Sequence, residues 1–570
     1  MDISKTLFKE YSKCEKVFSL DQIHKQKLSA KYKDEKVLEI LDVMFDELGE
    51  DLINIDDPQL EVMLPYYQKV EEIAIKEACI LFNKPFKYFQ NTLDQKSFSF
   101  KDNEKNNIYT YLDGFYEDEN EIIVIEVKAT TDRKFLELGP KVKGVVDSVF
   151  IKDNQILTLK SNLNEKQIKS IEKLYDRYSN VGKYLYDLAI TNYIIKNCNV
   201  NKKIKYYLAV LNSQYIFDGK YVNNEPSYYQ GFEKIISFID MTELLTGYFE
   251  IISKDHIFIQ ESIKSNEIKK SIYKKICNDC IYKKICFDKL NEKYAISSLL
   301  APKKIEKESI FNLYNRGVCF IKDIDYNLIT NENHKIQYRS IDETEVINYE
   351  QIKEKLNDIK YPIYHLDFEA FNGPLPRFMG EFPYMQSLFQ FSIHIEKSIN
   401  CCDRYKDNYY FIPKDFNDHR EELIKEMIKI IDLSNGGTVL VYNKSYESTR
   451  IKEMMKIFPK YYNQLEQILK HIYDLKDVVK GSGYDSVSYY HKDLEGSYSI
   501  KKVLPIFSNL TYKELNIHNG VEAIVNYAKF KDMEEKEIEI TRNNLIEYCG
   551  LDTYSMVVIL NKIREKVKNV

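Results

Sequence analysis

The chain of 570 residues contains no tryptophan. It also has no apolar run approaching the about 20 residues that a membrane-spanning helix needs, so a helical membrane protein is excluded from the expectation. Nothing after Met1-Asp2-Ile3-Ser4-Lys5 has the apolar core of a secretory signal, and the expected compartment is the cytoplasm, without a membrane partner. The missing tryptophan goes with abundant Lys, Asn, Ile and Tyr and reflects an AT-rich genome more than any activity. Strong charge of either sign is absent too, the formal net charge being -6. That balance leaves nucleic acid open as a partner, because metal-binding acids count as negative until the metals arrive. Ten cysteines in a cytosolic chain argue against a disulfide framework. Three of them cluster, which points to metal. No internal repeat or low-complexity tract is present, and the length suggests two or three domains.

Residues 1–100 read as mostly helical, with polar breaks such as Asp56-Asp57-Pro58. The pattern changes at Ile108–Tyr116, which is strand-like, and at Ile122–Lys128, a β-branched run that reads as a buried strand. A charged, irregular segment to about residue 180 precedes a helix over Lys183–Lys196 and a strand over Lys205–Leu211. Residues 300–355 read as a polar connector. From Tyr361 onward, strands at Ile363–Phe371, Phe389–Ile395, Tyr409–Ile412 and Thr438–Tyr442 alternate with helices at Glu421–Ile431, Glu447–Phe458 and Ile540–Val567. That alternation is the signature of an α/β domain.

The acids of this last third carry the most information. Asp367 and Glu369 alternate on one strand, so they point to the same face with Phe368 on the other. Glu447 follows the strand that ends near Tyr442, and Tyr548 and Asp552 are one helical turn apart. Carboxylates placed together in an apolar setting are costly unless cations neutralise them. Two divalent ions held by such acids are a standard device for cutting phosphodiesters, one activating water and the other steadying the leaving oxygen. Tyr548 is placed to align that water. The acids alone therefore predict a nuclease using Mg²⁺ or Mn²⁺ held by Asp367, Glu369, Glu447 and Asp552.

This order of motifs resembles the DEDDy branch of the ribonuclease H-like 3′→5′ exonucleases. More closely, Leu366-Asp367-Phe368-Glu369-Ala370-Phe371, Phe389-Gln390-Phe391-Ser392-Ile393-His394, Gly496-Ser497-Tyr498-Ser499-Ile500-Lys501-Lys502 and Tyr548-Cys549-Gly550-Leu551-Asp552-Thr553 resemble an uncharacterised bacterial family, a domain of unknown function in the ribonuclease H-like group. The resemblance spans residues 360–565. Glu447 stands where such exonucleases usually carry Asp.

In the other half, Asp113 precedes Glu126 and Lys128 in a D-x(12)-E-x-K spacing across adjacent strands. That pattern resembles the PD-(D/E)xK nuclease core, in which Asp and Glu hold a divalent metal and Lys assists the water or the transition-state charge. Cys277, Cys280 and Cys286 form C-x2-C-x5-C, a spacing whose thiolates suit iron–sulfur or zinc. Cys14 matches the amino-terminal cysteine of RecB-like nucleases, and that resemblance implies a [4Fe–4S] cluster on Cys14, Cys277, Cys280 and Cys286. Cys79 is the rival fourth ligand. RecB-like nucleases usually carry Gln on the following helix, where Thr191 stands here, with Tyr193 after it. Glu71 or Glu72 is the candidate for the family's early acid.

The expected fold is thus α/β, in three spans. Residues 1–300 form a restriction-endonuclease-like (PD-(D/E)xK) domain with a cysteine-bound cluster, 301–355 a connector resembling a helix–hairpin–helix, and 356–570 a ribonuclease H-like domain. The expected activity is 3′→5′ exonuclease cleavage of single-stranded or frayed DNA. RNA as substrate, and a non-catalytic nucleic-acid-binding protein with decayed metal sites, are the alternatives. Protein partners are not legible.

Overall fold

The computed structural model describes residues 1–24, 40, 43–44, 47, 59–229, 233–265, 268, 270–481 and 486–568. The Asp56-Asp57-Pro58 break lies outside them. The chain divides into two compact units, Met1–Lys270 with Gly373–Met385, and Ser271–Asn372 with Gln386–Val570. Both are mixed α/β. Among the described residues no helix is long and apolar enough to cross a membrane.

In the first unit, β1 (Asp2–Ser4) leads directly into α1 (Lys5–Lys13). The Ser4 hydroxyl accepts from Leu7 N at 3.1 Å and caps that helix. Capping fixes its rotation, so Lys5 and Lys9 stand one turn apart on one face. After α2 (Gln59–Phe82) come β2 (Lys96–Lys101) and β3 (Asn107–Leu112), which with β1 form a three-stranded sheet in the order β1-β3-β2. Six further strands follow: β4 (Gly114–Glu117), β5 (Glu121–Thr131), β6 (Phe150–Asp153), β7 (Ile156–Leu159), β8 (Lys203–Leu211) and β9 (Ile236–Asp240). They form one sheet in the order β4-β5-β8-β9-β7-β6. The β-branched residues of β5 suit its interior place, and every residue after the first is buried. Gly114 has no room for a side chain: a Cβ there would lie 2.8 Å from Ile75 Cδ1 and 2.9 Å from Ile125 Cβ. That close approach presses β4 onto β5 and α2, and leaves Asp113 as the single residue between β3 and β4. Helices α3 (Gly182–Asn197) and α4 (Phe249–Ser265) complete the part that positions the site.

In the second unit, the cysteine segment and the expected connector share one apolar cluster. Tyr273, Phe287 and Ile296 pack there with Ile310, Leu313, Ile321 and Ile329. That burial joins the cysteine segment to the connector, and the division falls at 270/271 where the sequence suggested 300. The sheet is built from β10 (Ile363–Asn372), β11 (Gln386–Glu396), β12 (Asn408–Phe411), β13 (Thr438–Val441) and β14 (Ile472–Asp474). Its order is β12-β11-β10-β13-β14. Only β11 runs antiparallel to the others. Helices α5 (Arg420–Ile430), α6 (Lys444–Ile457), α7 (Ile500–Phe507), α8 (Gly520–Ala528) and α9 (Glu535–Lys568) surround it.

Candidate functional site

The strand order reverses between β10 and β13, and the crevice at such a switch point is where open α/β sheets place ligands. Pairing with β13 covers Ile363 to His365 of β10 only. Beyond it, Asp367 and Glu369 emerge at the carboxyl end of the strand. In the antiparallel register with β11, Ser392 faces Asp367, Gln390 faces Glu369 and His394 faces His365. These three side chains anchor α9. Gln390 donates to Leu545 O at 2.8 Å, and both the Ser392 hydroxyl and His394 Nδ1 lie 2.8 Å from Thr553 Oγ1. The helix therefore lies across the face that bears the two acids, with Tyr548, Cys549 and Asp552 turned towards them.

One carboxylate oxygen each from Asp367 and Glu369 and the Cys549 sulfur lie within 4.8 Å of one another. Asp552 Oδ1 accepts from the Tyr512 hydroxyl at 2.7 Å, and Tyr548 bonds to the same carboxyl. Glu447, in the first turn of α6, is buried, and its Oε2 has no hydrogen-bond partner among the described residues. Burial is the largest cause holding the Asp367 carboxyl far above the usual range, with Asp552 adding to it. Glu369 is raised likewise by burial and then by Asp367 and Asp552, and Glu447 by burial and then by Asp367. Burial also raises Asp552, against hydrogen bonds from the two tyrosines. Asp474, at the end of β14, adds its charge to Glu447 while accepting from Lys444 N and Lys476 N, each at 2.9 Å.

Lys501 is the cation whose field lowers Asp367, Glu369 and Asp552 together. Its ammonium donates to His518 O at 2.9 Å and lies 5.2 Å from the Tyr512 ring centre and 5.3 Å from that of Tyr548. Arg450 likewise lowers Glu447, and among the described residues the acids still outnumber these two cations. The donors of this centre are chiefly carboxylate oxygens, which suit Mg²⁺ and Mn²⁺. The buried, unpartnered Glu447 oxygen fits that reading, since a bound cation would satisfy it. Asp367, Glu369, Glu447 and Asp552 are thus brought to one centre from three separate elements. Lys501, Tyr512, Asp474 and Cys549 belong to the same centre and were not predicted.

Residues 364–499 match a family described as a domain of unknown function (DUF2779). That span holds Asp367, Glu369 and Glu447 and ends before Lys501, Tyr548 and Asp552. A stretch of 256 residues is 28% identical to the uncharacterized protein UU173 of Ureaplasma parvum serovar 3, over 41% of this chain and 34% of that protein. The chain thus spans about a third of the relative's length. Both likenesses are to an uncharacterised family, and no solved structure matches.

In the first unit, Asp113, Glu126 and Lys128 also meet. Glu126 and Lys128 share a face of β5, with Lys128 Nζ 2.9 Å from Glu126 Oε1. Asp113 Oδ2 accepts from Val127 N at 2.8 Å. Burial, then the charges of Glu126 and Glu71, push the Asp113 carboxyl up to about 7, against Lys128 and Lys5. Of the two candidates for an early acid, Glu71 faces this centre. Glu72 instead pairs with Lys69 at 3.0 Å and Lys76 at 2.5 Å.

Three features here escaped the sequence reading. Lys5 donates to Glu126 Oε1 at 2.5 Å. Asp187 of α3 lies 3.8 Å from Lys128 Nζ. Lys9 Nζ stands 3.2 Å from Asp187 Oδ1 as an ion pair without hydrogen-bond alignment. Thr191, one turn along α3, is fully buried and bonds to Asp187 O at 3.4 Å. Tyr193 bonds to His256 Nδ1 at 3.0 Å, which turns it towards α4. Here Lys5 and Lys128 pair with Glu126 and Lys9 with Asp187, while Asp113 has no lysine at ion-pair distance among the described residues.

Cys14 caps the end of α1 in the first unit. Cys277, Cys280 and Cys286 belong to the second, where Cys277 and Cys286 pack against the apolar cluster. Among the described residues these three sulfurs do not all lie within 4.8 Å of one another, so as placed they do not close around one cluster. Cys79, the rival ligand, donates to Phe86 O at 3.3 Å.

Proposed function

We propose that this chain is a metal-dependent phosphodiesterase that trims nucleic acid from the 3′ end, with single-stranded or frayed DNA as its substrate. The observation that carries this reading is the convergence of half-buried Asp367 with buried Glu369, Glu447 and Asp552 at the switch point of the second sheet, where Asp367 raises both glutamates and is itself raised by Asp552. The strand order, with its single antiparallel member β11, supports the ribonuclease H-like assignment of this unit. When bound, divalent ions at such acids lower the barrier to water attack and offset charge on the phosphodiester. Asp367, Glu369, Glu447 and Asp552 would hold them. Tyr512 and Tyr548 fix the Asp552 carboxyl by hydrogen bonds, and Tyr548 places a phenol where an attacking water is oriented. Lys501, the local cation, attracts the phosphate. A metal pair alone reads no base, so little sequence preference is expected.

The test is degradation of 3′- and 5′-labelled DNA and RNA with Mn²⁺, Mg²⁺ or EDTA. Loss of nucleotides from the 3′ end that stops with EDTA and with Asp367→Ala is the expected result. Unchanged degradation by Asp367→Ala would overturn the site. Degradation of RNA alone would change the substrate, and a blocked 3′ end that gave no protection would reverse the polarity.

The first unit enters this reading as a RecB-like nucleic-acid-binding domain. Lys128→Ala is expected to remove any endonuclease or 5′-end cleavage and to leave 3′ trimming intact. Iron and sulfide analysis of protein purified without oxygen, with Cys14→Ser as comparison, tests the cysteine cluster; zinc alone would replace it.

A further inference from the structure

The thiol of Cys549 stands inside the acidic centre, where the order of motifs in the sequence gives no reason to look for one. In the Y-x-x-x-D turn of α9, Cys549 precedes Asp552 by three residues and Tyr548 precedes it by four, so all three present to the same side. The side chain is fully buried. Its sulfur lies 3.9 Å from Asp367 Oδ2, and sulfur and one oxygen each of Asp367 and Glu369 are mutually within 4.8 Å. Two features bring the helix this close. Gln390, Ser392 and His394 tie it to β11. Gly550, next along, lets the helix approach β12, since a Cβ there would lie 2.7 Å from Asn408 Nδ2. Three donor atoms from two elements thus surround one point, two of them hard oxygens and one a soft sulfur.

We propose that Cys549 is a direct ligand at the site of Asp367 and Glu369, and that this O,O,S donor set selects a borderline divalent transition ion such as Co²⁺ or Zn²⁺ over Mg²⁺. The proposal rests on the reading of Asp367 and Glu369 as metal ligands. Mg²⁺ takes oxygen donors in a near-ideal octahedron and keeps its waters. Thiolate donors favour softer ions, and affinity rises from Mn²⁺ through Co²⁺. Coordination releases the thiol proton to solvent.

The experiment uses the full chain and Co²⁺ as the probe, read by its near-ultraviolet sulfur-to-cobalt absorption and by equilibrium titration. Other cysteines can also bind cobalt, so the quantity read is the difference between proteins. The wild type is expected to carry a sulfur-to-cobalt component that disappears in both Cys549→Ser and Asp367→Ala. Cys549→Ser is expected to weaken Co²⁺ at this site by roughly tenfold or more while changing Mg²⁺ binding little. If Asp367→Ala loses a cobalt ion but Cys549→Ser keeps the wild-type spectrum and affinity, the acids hold metal and the thiol does not, which overturns the proposal alone. If Asp367→Ala binds as much cobalt as the wild type, the metal-site reading itself fails. Because Cys549 is buried, helix content and the melting transition of each variant are recorded first. Cys549→Ala takes the place of Cys549→Ser should a buried hydroxyl unfold the chain.

Discussion

Tyr548 and the acids around it differ in what their loss leaves behind. On the proposed reading, removing Asp367 removes a donor for the metals, whereas Tyr548→Phe removes one hydroxyl and leaves every carboxylate in place. Asp552 keeps its 2.7 Å hydrogen bond from Tyr512, so its orientation survives. Tyr548→Phe is therefore expected to slow 3′-end degradation by at most about 10²-fold, the scale of a misplaced reactant, with Mn²⁺ affinity by calorimetry unchanged. A complete loss of activity would assign the phenol a larger part. Glu447 poses the reverse question. Its buried Oε2 has no partner among the described residues. Glu447→Asp is expected to retain activity and Glu447→Ala to lose it, in the same labelled-end assay. Equal loss in both would mean that the longer arm is required.

At the scale of elements, α9 is the part whose placement decides the site, because it carries Tyr548, Cys549 and Asp552 against strands distant in sequence. Gly550→Ala tests that placement. A Cβ there meets Asn408 Nδ2, and Asn408 also accepts the Ser392 hydroxyl at 3.0 Å. Displacing it costs a hydrogen bond, about 1 kcal/mol, while Ala in place of Gly returns about 1 kcal/mol of helix propensity. The melting temperature should move little while activity falls, because the cost appears as a shift of α9 off the acids. Unchanged activity would show that Asn408 yields without moving the helix. The same elements mark what the sequence can reveal. Asp367 and Glu369 were legible because period-two alternation within an apolar strand needs no tertiary knowledge, and Tyr548 with Asp552 because one helical turn is a local spacing. Cys549 was not, since from the sequence it reads as an ordinary buried or free thiol until the helix is docked. Lys5 and Asp187 escaped for the same reason: they reach Glu126 and Lys128 only once α1 and α3 pack together. Strands β6 and β7 were read as irregular chain because each has only four residues and both lie in a charged segment.

At the scale of the whole molecule, both units bury acids that hold protons more tightly than free carboxyls do. Asp113 moves from 3.8 to about 7, and Asp367, Glu369 and Glu447 lie well above their ordinary values, each chiefly through burial. Over the window between the ordinary and the raised value, the folded chain keeps a proton that the unfolded chain has released. Stability must then fall as pH rises through that window. For Asp113 the window runs from about 4 to about 7, and the acids of the second unit extend the decline upward. A divalent ion held there as proposed would reverse the sign at the second centre, because it would bind the ionised folded acids and its effect would grow as their protons leave. In EDTA, the melting temperature is expected to fall between about pH 5 and about pH 8. Added Mn²⁺ should raise it, by an amount that widens with pH. Asp367→Asn removes one of the repelling acids and one donor, so it should melt higher than the parent in EDTA at the alkaline end and gain less from Mn²⁺. A melting temperature that rises with pH in EDTA, or a Mn²⁺ effect indifferent to Asp367→Asn, would place the buried charge elsewhere. The first centre supplies the internal contrast. Lys5 and Lys128 pair with Glu126 and Lys9 with Asp187, so the metal-dependent part of the shift, which belongs to the second centre, should survive Lys128→Ala.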